Sequence, residues 1–376
     1  MSADDLRALL GASGERGDEL LLAILQSIEA LEEASDAHAH TALNAAYAAW
    51  VEYASVMYER GDVDGATFIA TEIAADAEES GHFVLAARAL IHAGFLAMRE
   101  AKIDESDRLH RRAEALARRA RSIAMVYRAR IGRANLVRMR GNLPAAEAML
   151  DRVVRGARRH APSVVARALL MRSNVAWARG QHAEAVVIAT EALFEAPDER
   201  IRTRTLIEIA SLLTEFADTA LGAVSRQILE YAVVHSPQHA TRQHAAIGLL
   251  SLSVDQRRPD DFAKWRAMLD GVRIAPRHAI HYAMNVARGI QAFGLPDDPL
   301  RYLNEAERIA TEHGLSQYLF VIADQRDALA RAAAGGQVRA PASDTRTAPT
   351  VSNGVRAAAQ RVVAQLAVGA VKESGR

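Results

Sequence analysis

An all-α chain of stacked helical hairpins is the fold class that the sequence predicts, and three observations predict it. One hairpin is written twice between residues 122 and 197. Leu136-Val-Arg-Met-Arg140 runs into a turn at Gly141-Asn-Leu-Pro144 and resumes at Ala145, while Val175-Ala-Trp-Ala-Arg179 runs into Gly180-Gln-His182 and resumes at Ala183. The same turn recurs at Gly61, Ala101, Ala217, Arg258 and Gly294, so successive turns lie 40, 40, 39, 37, 41 and 36 residues apart. A small side chain stands seven residues before every turn: Ala54, Gly94, Ala134, Ser173, Ala210, Ser251, Ala287. Another stands five residues after six of the seven turns (Ala66, Ser106, Ala146, Ala185, Gly222, Ala263), and Pro299 breaks the column. A fixed period of this length marks a repeat array. Small residues at constant phase on both helices let the two arms of each hairpin approach closely.

The elements follow in order. Residues 1–37 are expected to cap the first hairpin, with Leu20, Leu21, Ile24, Leu25, Ile28 and Leu31 forming a broad apolar face within 18–34. A helical-repeat solenoid of about seven hairpins then fills 38–334. Its connectors carry turn residues at Gly61-Asp-Val-Asp64, Asn142-Leu-Pro144, Pro197-Asp198, Ser236-Pro237, Arg258-Pro-Asp-Asp261 and Pro296-Asp-Asp-Pro299. Residues 315–334 read as one unpaired helix that covers the last apolar face, as solenoid ends require. The Gly/Pro/Ser/Thr-rich stretch 335–354 is expected to be a flexible linker. Residues 355–376 then form an amphipathic helix with Val355, Ala359, Val362, Leu366 and Gly369 on one stripe. Such a helix docks on a partner, docks on the array, or frays as a marginal helix, and the sequence leaves all three open.

Composition narrows the function. Half of the 376 residues are apolar and aromatics are few, which suits helices packed through small side chains. Without Cys there are no disulfides and no thiolate metal sites. No stretch approaches the ~20 apolar residues of a membrane span, and the start lacks a secretory pattern, so a cytoplasmic protein with no membrane partner is expected. The formal charge of zero conceals an asymmetry: residues 1–107 hold 21 Asp/Glu against six Lys/Arg (net −15), and residues 108–160 hold 15 Arg against Glu114, Glu147 and Asp151 (net +12). Nucleotide-binding, metalloprotease and hydrolase motifs are absent. His38 and His40 stand two apart and point in different directions on a helix, His235 and His239 flank Pro237, and His278/His281 lack a further ligand in register. Neither a catalytic residue, a metal nor a cofactor is expected, and the chain reads as non-enzymatic.

With small residues facing each other across the hairpin, Ala185, Ala192-Leu193 and Pro197 in the fourth unit, and Trp50 in the first, residues 40–333 resemble the tetratricopeptide repeat family. The resemblance implies a right-handed α–α superhelix whose leading helices line a concave groove. The units here exceed that family's usual ~34 residues. In this they are similar to sensor arrays of bacterial regulators and peptide-sensing proteins, although residues 1–37 are too short for the DNA-binding domain such regulators carry.

Counting back from each turn picks out the groove stripe, because seven residues span nearly two helical turns. Thirteen before the turn the column reads Ala48, Arg88, Arg128, Arg167, Arg204, Ala245, His281. Six before it come Phe95, Asn135 and Asn174, and three before it Met98, Arg138 and Trp177. These ten side chains (Arg88, Phe95, Met98, Arg128, Asn135, Arg138, Arg167, Asn174, Trp177, Arg204) form the expected ligand site. Arg takes a carboxylate bidentately, and Asn offers both a donor and an acceptor to a peptide amide. The resulting expectation is a scaffold that holds an extended acidic protein or peptide segment, as a sensor or adaptor in bacterial regulation. Two other readings stand beside it. The Arg column pairs with acids on neighbouring helices, as Arg204 would with Glu208, or the Arg-rich 108–160 region binds nucleic acid, against which the neutral chain and aromatic-poor groove argue.

Overall fold

A computed structural model describes residues 21–24, 26, 36–59, 62–100, 102–272, 274–333 and 349–373. Every regular element among them is helical. The chain divides into two compact units, Met1–Val164 and Val165–Arg376.

The first unit holds three hairpins: α1 (Asp36–Glu59) with α2 (Val63–Glu79), α3 (Phe83–Arg99) with α4 (Ile103–Arg119), and α5 (Ile123–Met139) with α6 (Leu143–His160). Each helix packs on the next in sequence, and the leading helices α1, α3 and α5 also pack on one another in that order. Turn chemistry fixes the boundaries. Gly141 adopts φ 82°, a left-handed conformation that costs glycine little, and the Asn142 side chain then accepts from the Ala145 amide at 3.2 Å to cap α6. Asp62 caps α2 in the same way, accepting from Gly65 at 2.8 Å. Gly61 and Ala101, two of the expected turns, lie outside the described residues. Ala54, Ala66, Gly94, Ser106, Ala134 and Ala146 are all buried, so the small-residue columns do face the hairpin interiors. Leu21 and Ile24 are buried against Ala49 and Tyr53 of α1, as a cap would be; the rest of the capping segment lies outside the described residues.

Gly94 and Gly132 serve a second purpose in this unit. A Cβ on Gly94 would stand 2.3 Å from the His110 ring, and one on Gly132 only 1.9 Å away. The two glycines therefore make room for a buried imidazole, whose Nδ1 donates to the Ser106 carbonyl at 2.8 Å.

The second unit holds four hairpins: α7 (Val165–Ala178) with α8 (His182–Phe194), α9 (Glu199–Thr214) with α10 (Thr219–His235), α11 (His239–Asp255) with α12 (Pro259–Leu269), and α13 (Pro276–Phe293) with α14 (Pro299–Glu312). The single helix α15 (Gln317–Ala333) packs on α13 and α14 as the expected closing element. Asp198, Asp218 and Asp298 cap α9, α10 and α14.

The third hairpin of this unit departs from the expected register by one residue. Its left-handed turn residue is Arg257 (φ 55°), not Arg258. Counted from Arg257, the two column positions fall on Leu250 and Phe262, both buried, while Ala263 is exposed. Phe262 is accommodated by Gly289 of α13, where a Cβ would lie 2.0 Å from the ring.

The C-terminal helix α16 (Asn353–Glu373) docks on α8 and α10. Val355, Ala358, Ala359, Val362 and Leu366 are buried in the same core as Val186, Leu193 and Ile228. The Arg361 guanidinium lies 4.5 Å from the Phe194 ring centre, and Arg202 of α9 donates to the Gln365 carbonyl at 3.1 Å. Of the readings open in the sequence, docking within the chain is the one that the structure shows. The expected linker falls mostly outside the described residues.

Candidate functional site

In the first unit the stripe occupies α3 and α5. Arg88, Phe95 and Met98 on α3 and Arg128 and Arg138 on α5 are half-buried, but Asn135 is buried, with 8% of its surface exposed. Because α3 and α5 pack side by side, residues three and six before their turns meet. The Asn135 amide donates from Nδ2 to the Met98 sulfur at 2.9 Å and accepts at Oδ1 from Arg138 Nε, also at 2.9 Å. Both ends of this amide are engaged within the unit. Asn135 is thus a positioning residue for Arg138, in place of the two-sided contact to a ligand amide expected of it.

Arg138 is the unusual group in this cluster. No carboxylate pairs with it among the described residues, and its side chain's only hydrogen bond there is the one to Asn135. Burial, with no anion to offset it, pushes the guanidinium below its ordinary pKa. Arg88 likewise makes no ion pair or hydrogen bond among the described residues, whereas Arg128 already engages neighbours, one being Met125 through its sulfur at 3.7 Å.

Arg99 belongs to this surface and was invisible in the columns. Its Nε donates to the Tyr58 hydroxyl at 2.8 Å, and its guanidinium lies 5.0 Å from the Tyr58 ring centre and 5.4 Å from that of Phe95. A cation over two aromatic faces is favourable by about 0.5–1 kcal/mol each at exposed sites. The pairing runs between side chains of successive hairpins, so no fixed offset within one repeat reveals it.

In the second unit, Arg167, Asn174 and Trp177 stand on α7 and Arg204 on α9. Trp177 packs edge-on to His182 at 4.1 Å and to Phe216 at 6.5 Å between ring centres, so much of its face belongs to the core. Asn174 is half-buried, and its side chain makes no hydrogen bond among the described residues, in contrast with Asn135. Arg204 is exposed, and Arg167 and Arg204 both take part in interactions with neighbours.

The charge asymmetry of the sequence is partly settled inside the first unit. Arg112 meets Glu78 at 2.5 Å, Arg140 meets Asp104 at 2.7 Å, and Arg111 and Arg133 share Asp107. Acidic and basic segments face each other across successive hairpins. The histidines considered as a pair separate: His278 stacks on His244 at 4.7 Å, and His281 packs edge-on to Tyr318 at 5.2 Å. Among the described residues no group of three His, Asp or Glu is placed to hold a metal ion, and no helix is long and apolar enough to cross a membrane.

No family model matches the chain, and no curated protein matches it.

Proposed function

We propose that this chain is a non-enzymatic binding scaffold of tetratricopeptide type, a right-handed superhelix whose leading helices hold an extended acidic protein or peptide segment. On this reading it works in the cytoplasm as a sensor or adaptor beside a separate effector. Sequential hairpins with buried small-residue columns support the scaffold. The observation that carries the choice of ligand is Arg138: a cation half-removed from water, aimed by a buried Asn135, with no acid of its own among the described residues. Desolvating a cation is costly unless an anion joins it, so a ligand carboxylate would recover part of that cost. Arg88 offers a second cation on α3 without an acid among the described residues, and Phe95 and Met98 offer apolar contact beside it. The nucleic-acid reading loses weight, because Arg111, Arg112 and Arg140 of the 108–160 segment are paired with Asp107, Glu78 and Asp104.

An array of 12-residue peptides graded from neutral to Asp/Glu-rich tests this. Acidic members should bind best and weaken as salt rises. Arg138→Gln should weaken them by roughly 10-fold or more, the value of a charge-assisted bond of about 1.5–3 kcal/mol. Equal binding of neutral and acidic peptides, or indifference to Arg138→Gln, would contradict the reading.

A further inference from the structure

The first unit carries a second concentration of charge, away from the stripe, where α4, α5 and α6 meet. An open cleft of about 460 Å³ lies there, and Arg118, Arg130, Arg133 and Arg152 reach it around Glu114. Met149 and Val153 supply its apolar wall.

Glu114 is only 5% exposed and acts as the anchor. Its Oε1 accepts from Arg118 Nη2 at 2.6 Å and Arg130 Nε at 2.9 Å, and its Oε2 accepts from Arg133 Nη1 at 3.0 Å. Burial alone would favour the neutral acid, but the bonds from Arg130 and Arg133 outweigh it and hold the carboxyl below its usual range. One fixed anion thus orients three cations. Arg133 also reaches Asp107 at 3.4 Å, a carboxylate already held by Arg111.

The donors outnumber the acceptors. Arg130 uses only its Nε, leaving both terminal nitrogens of its fork without an acceptor among the described residues. Arg152 makes no hydrogen bond or ion pair there at all, although it lines the cleft. Four guanidiniums against Glu114 leave an excess of three positive charges, by subtraction, and sharing Arg133 with Asp107 removes at most part of it.

The repeat shows that this junction does not need charge in order to pack. Counted from their turns, Glu114, Arg130, Arg133 and Arg152 correspond to Leu193, Leu206, Ile209 and Ile228 in the next unit, all of them buried in its core. An apolar layer serves there, and a partly buried ionic cluster is seldom more stabilising than such a layer. Packing alone therefore gives no reason for the arginines.

We propose that this cleft is a binding site for a compact multivalent oxyanion of the phosphate or pyrophosphate class. Guanidinium forks match the planar edges of such groups, and fields from cations in a recess with apolar walls concentrate anions. A single carboxylate presents two oxygens to these forks, as Glu114 already does. A phosphoryl group brings more oxygens and more charge, which is what the remaining forks and the excess charge call for. The proposal does not rest on the acidic-segment reading, since it uses other residues on other helices.

Calorimetric titration of the full chain with inorganic pyrophosphate at fixed ionic strength tests it, with adenosine diphosphate in a parallel arm. The expected result is saturable binding of one pyrophosphate per chain, weakened about 10-fold by Arg152→Gln and further by Arg130→Gln. The Arg152 side chain has no hydrogen bond or ion pair to lose among the described residues, so its variant keeps the fold. Binding of adenosine diphosphate with the same sensitivity would point to a nucleotide as the source of the group; pyrophosphate binding alone would point to the free anion. Absence of saturable pyrophosphate binding, or affinity unchanged in the double variant, would overturn the proposal. So would binding confined to oligonucleotides and growing with their length, which would make the cleft part of a nucleic-acid track.

Discussion

Asn135 and Asn174 hold the same place in successive repeats, yet they have become different residues. Asn135 is buried with its amide engaged at both ends, and Asn174 is half-buried without a bond among the described residues. Asn135→Ala should accordingly destabilise the first unit by about 1–3 kcal/mol, because Arg138 loses its acceptor inside a partly buried cluster. Asn174→Ala should stay within about 0.5 kcal/mol, as for an open site. Urea unfolding of the two variants decides the matter, and equal effects would count against the assignment. Reading the repeat phase places both residues on one stripe but is blind to their burial. That burial depends on Met98 and Arg138, which another hairpin and the next helical turn supply.

His281 gives the pH dependence a sign. Burial, with the nearby Arg277 charge second, lowers its pKa from 6.5 to about 4. A depressed folded pKa means that the unfolded chain takes up the proton first as the solution is acidified. The histidine's contribution is therefore complete above pH 6.5 and falls away towards pH 4. The loss is at most ~3 kcal/mol by the linkage relation. His110, whose pKa is lowered by burial between Gly94 and Gly132, acts in the same direction. Unfolding midpoints measured at pH 7, 5.5 and 4.5 should fall, and less steeply in His281→Gln. A variant with the wild-type slope would rule out His281 as the source.

At the scale of the helix, the sequence showed most of the boundaries, missed one packing decision and left a second open. Gly141, Gly180 and Gly294 announce their turns because a left-handed residue is cheapest as glycine. The slip at Arg257 escaped notice because arginine carries no such mark, and Ser251 and Ala263 mimic the small-residue columns one residue out of phase. The docking of α16 stayed one of three open readings for a different reason. Its apolar stripe was plain, but its occupant groove is made by α8 and α10, more than a hundred residues away in the chain. Fully burying a Val or Leu side chain contributes about 1.5–3 kcal/mol before entropy is counted. Val362→Ser should therefore lower the melting temperature of the second unit, and truncation after Ser352 should lower it further. A protease cut within the Gly/Pro-rich 335–354 stretch should leave the α16 fragment bound until denaturant is added. Immediate separation of the fragment, with an unchanged melting temperature, would mean that α16 contributes nothing to the core.

At the scale of the whole chain, the all-helical class and the succession of hairpins were legible, because a repeated hairpin reuses the same local rules each time it is written. The candidate site was legible only as a stripe. Which of its side chains are open to a ligand is decided by contacts between hairpins: Asn135 turned inward, Trp177 was drawn partly into the core, and Arg99 was added over Phe95. The central claim is that the leading helices of the first unit hold an acidic segment at Arg138. Photo-cross-linking tests it most directly, using the best-binding acidic peptide with a diazirine beside its carboxylates and mapping the adducts by mass spectrometry. The account predicts adducts on the peptides of α3 and α5 that contain Phe95, Met98 and Arg138, lost on competition with unlabelled peptide. Adducts confined to α4, α6 or α16, equally competed, would contradict it.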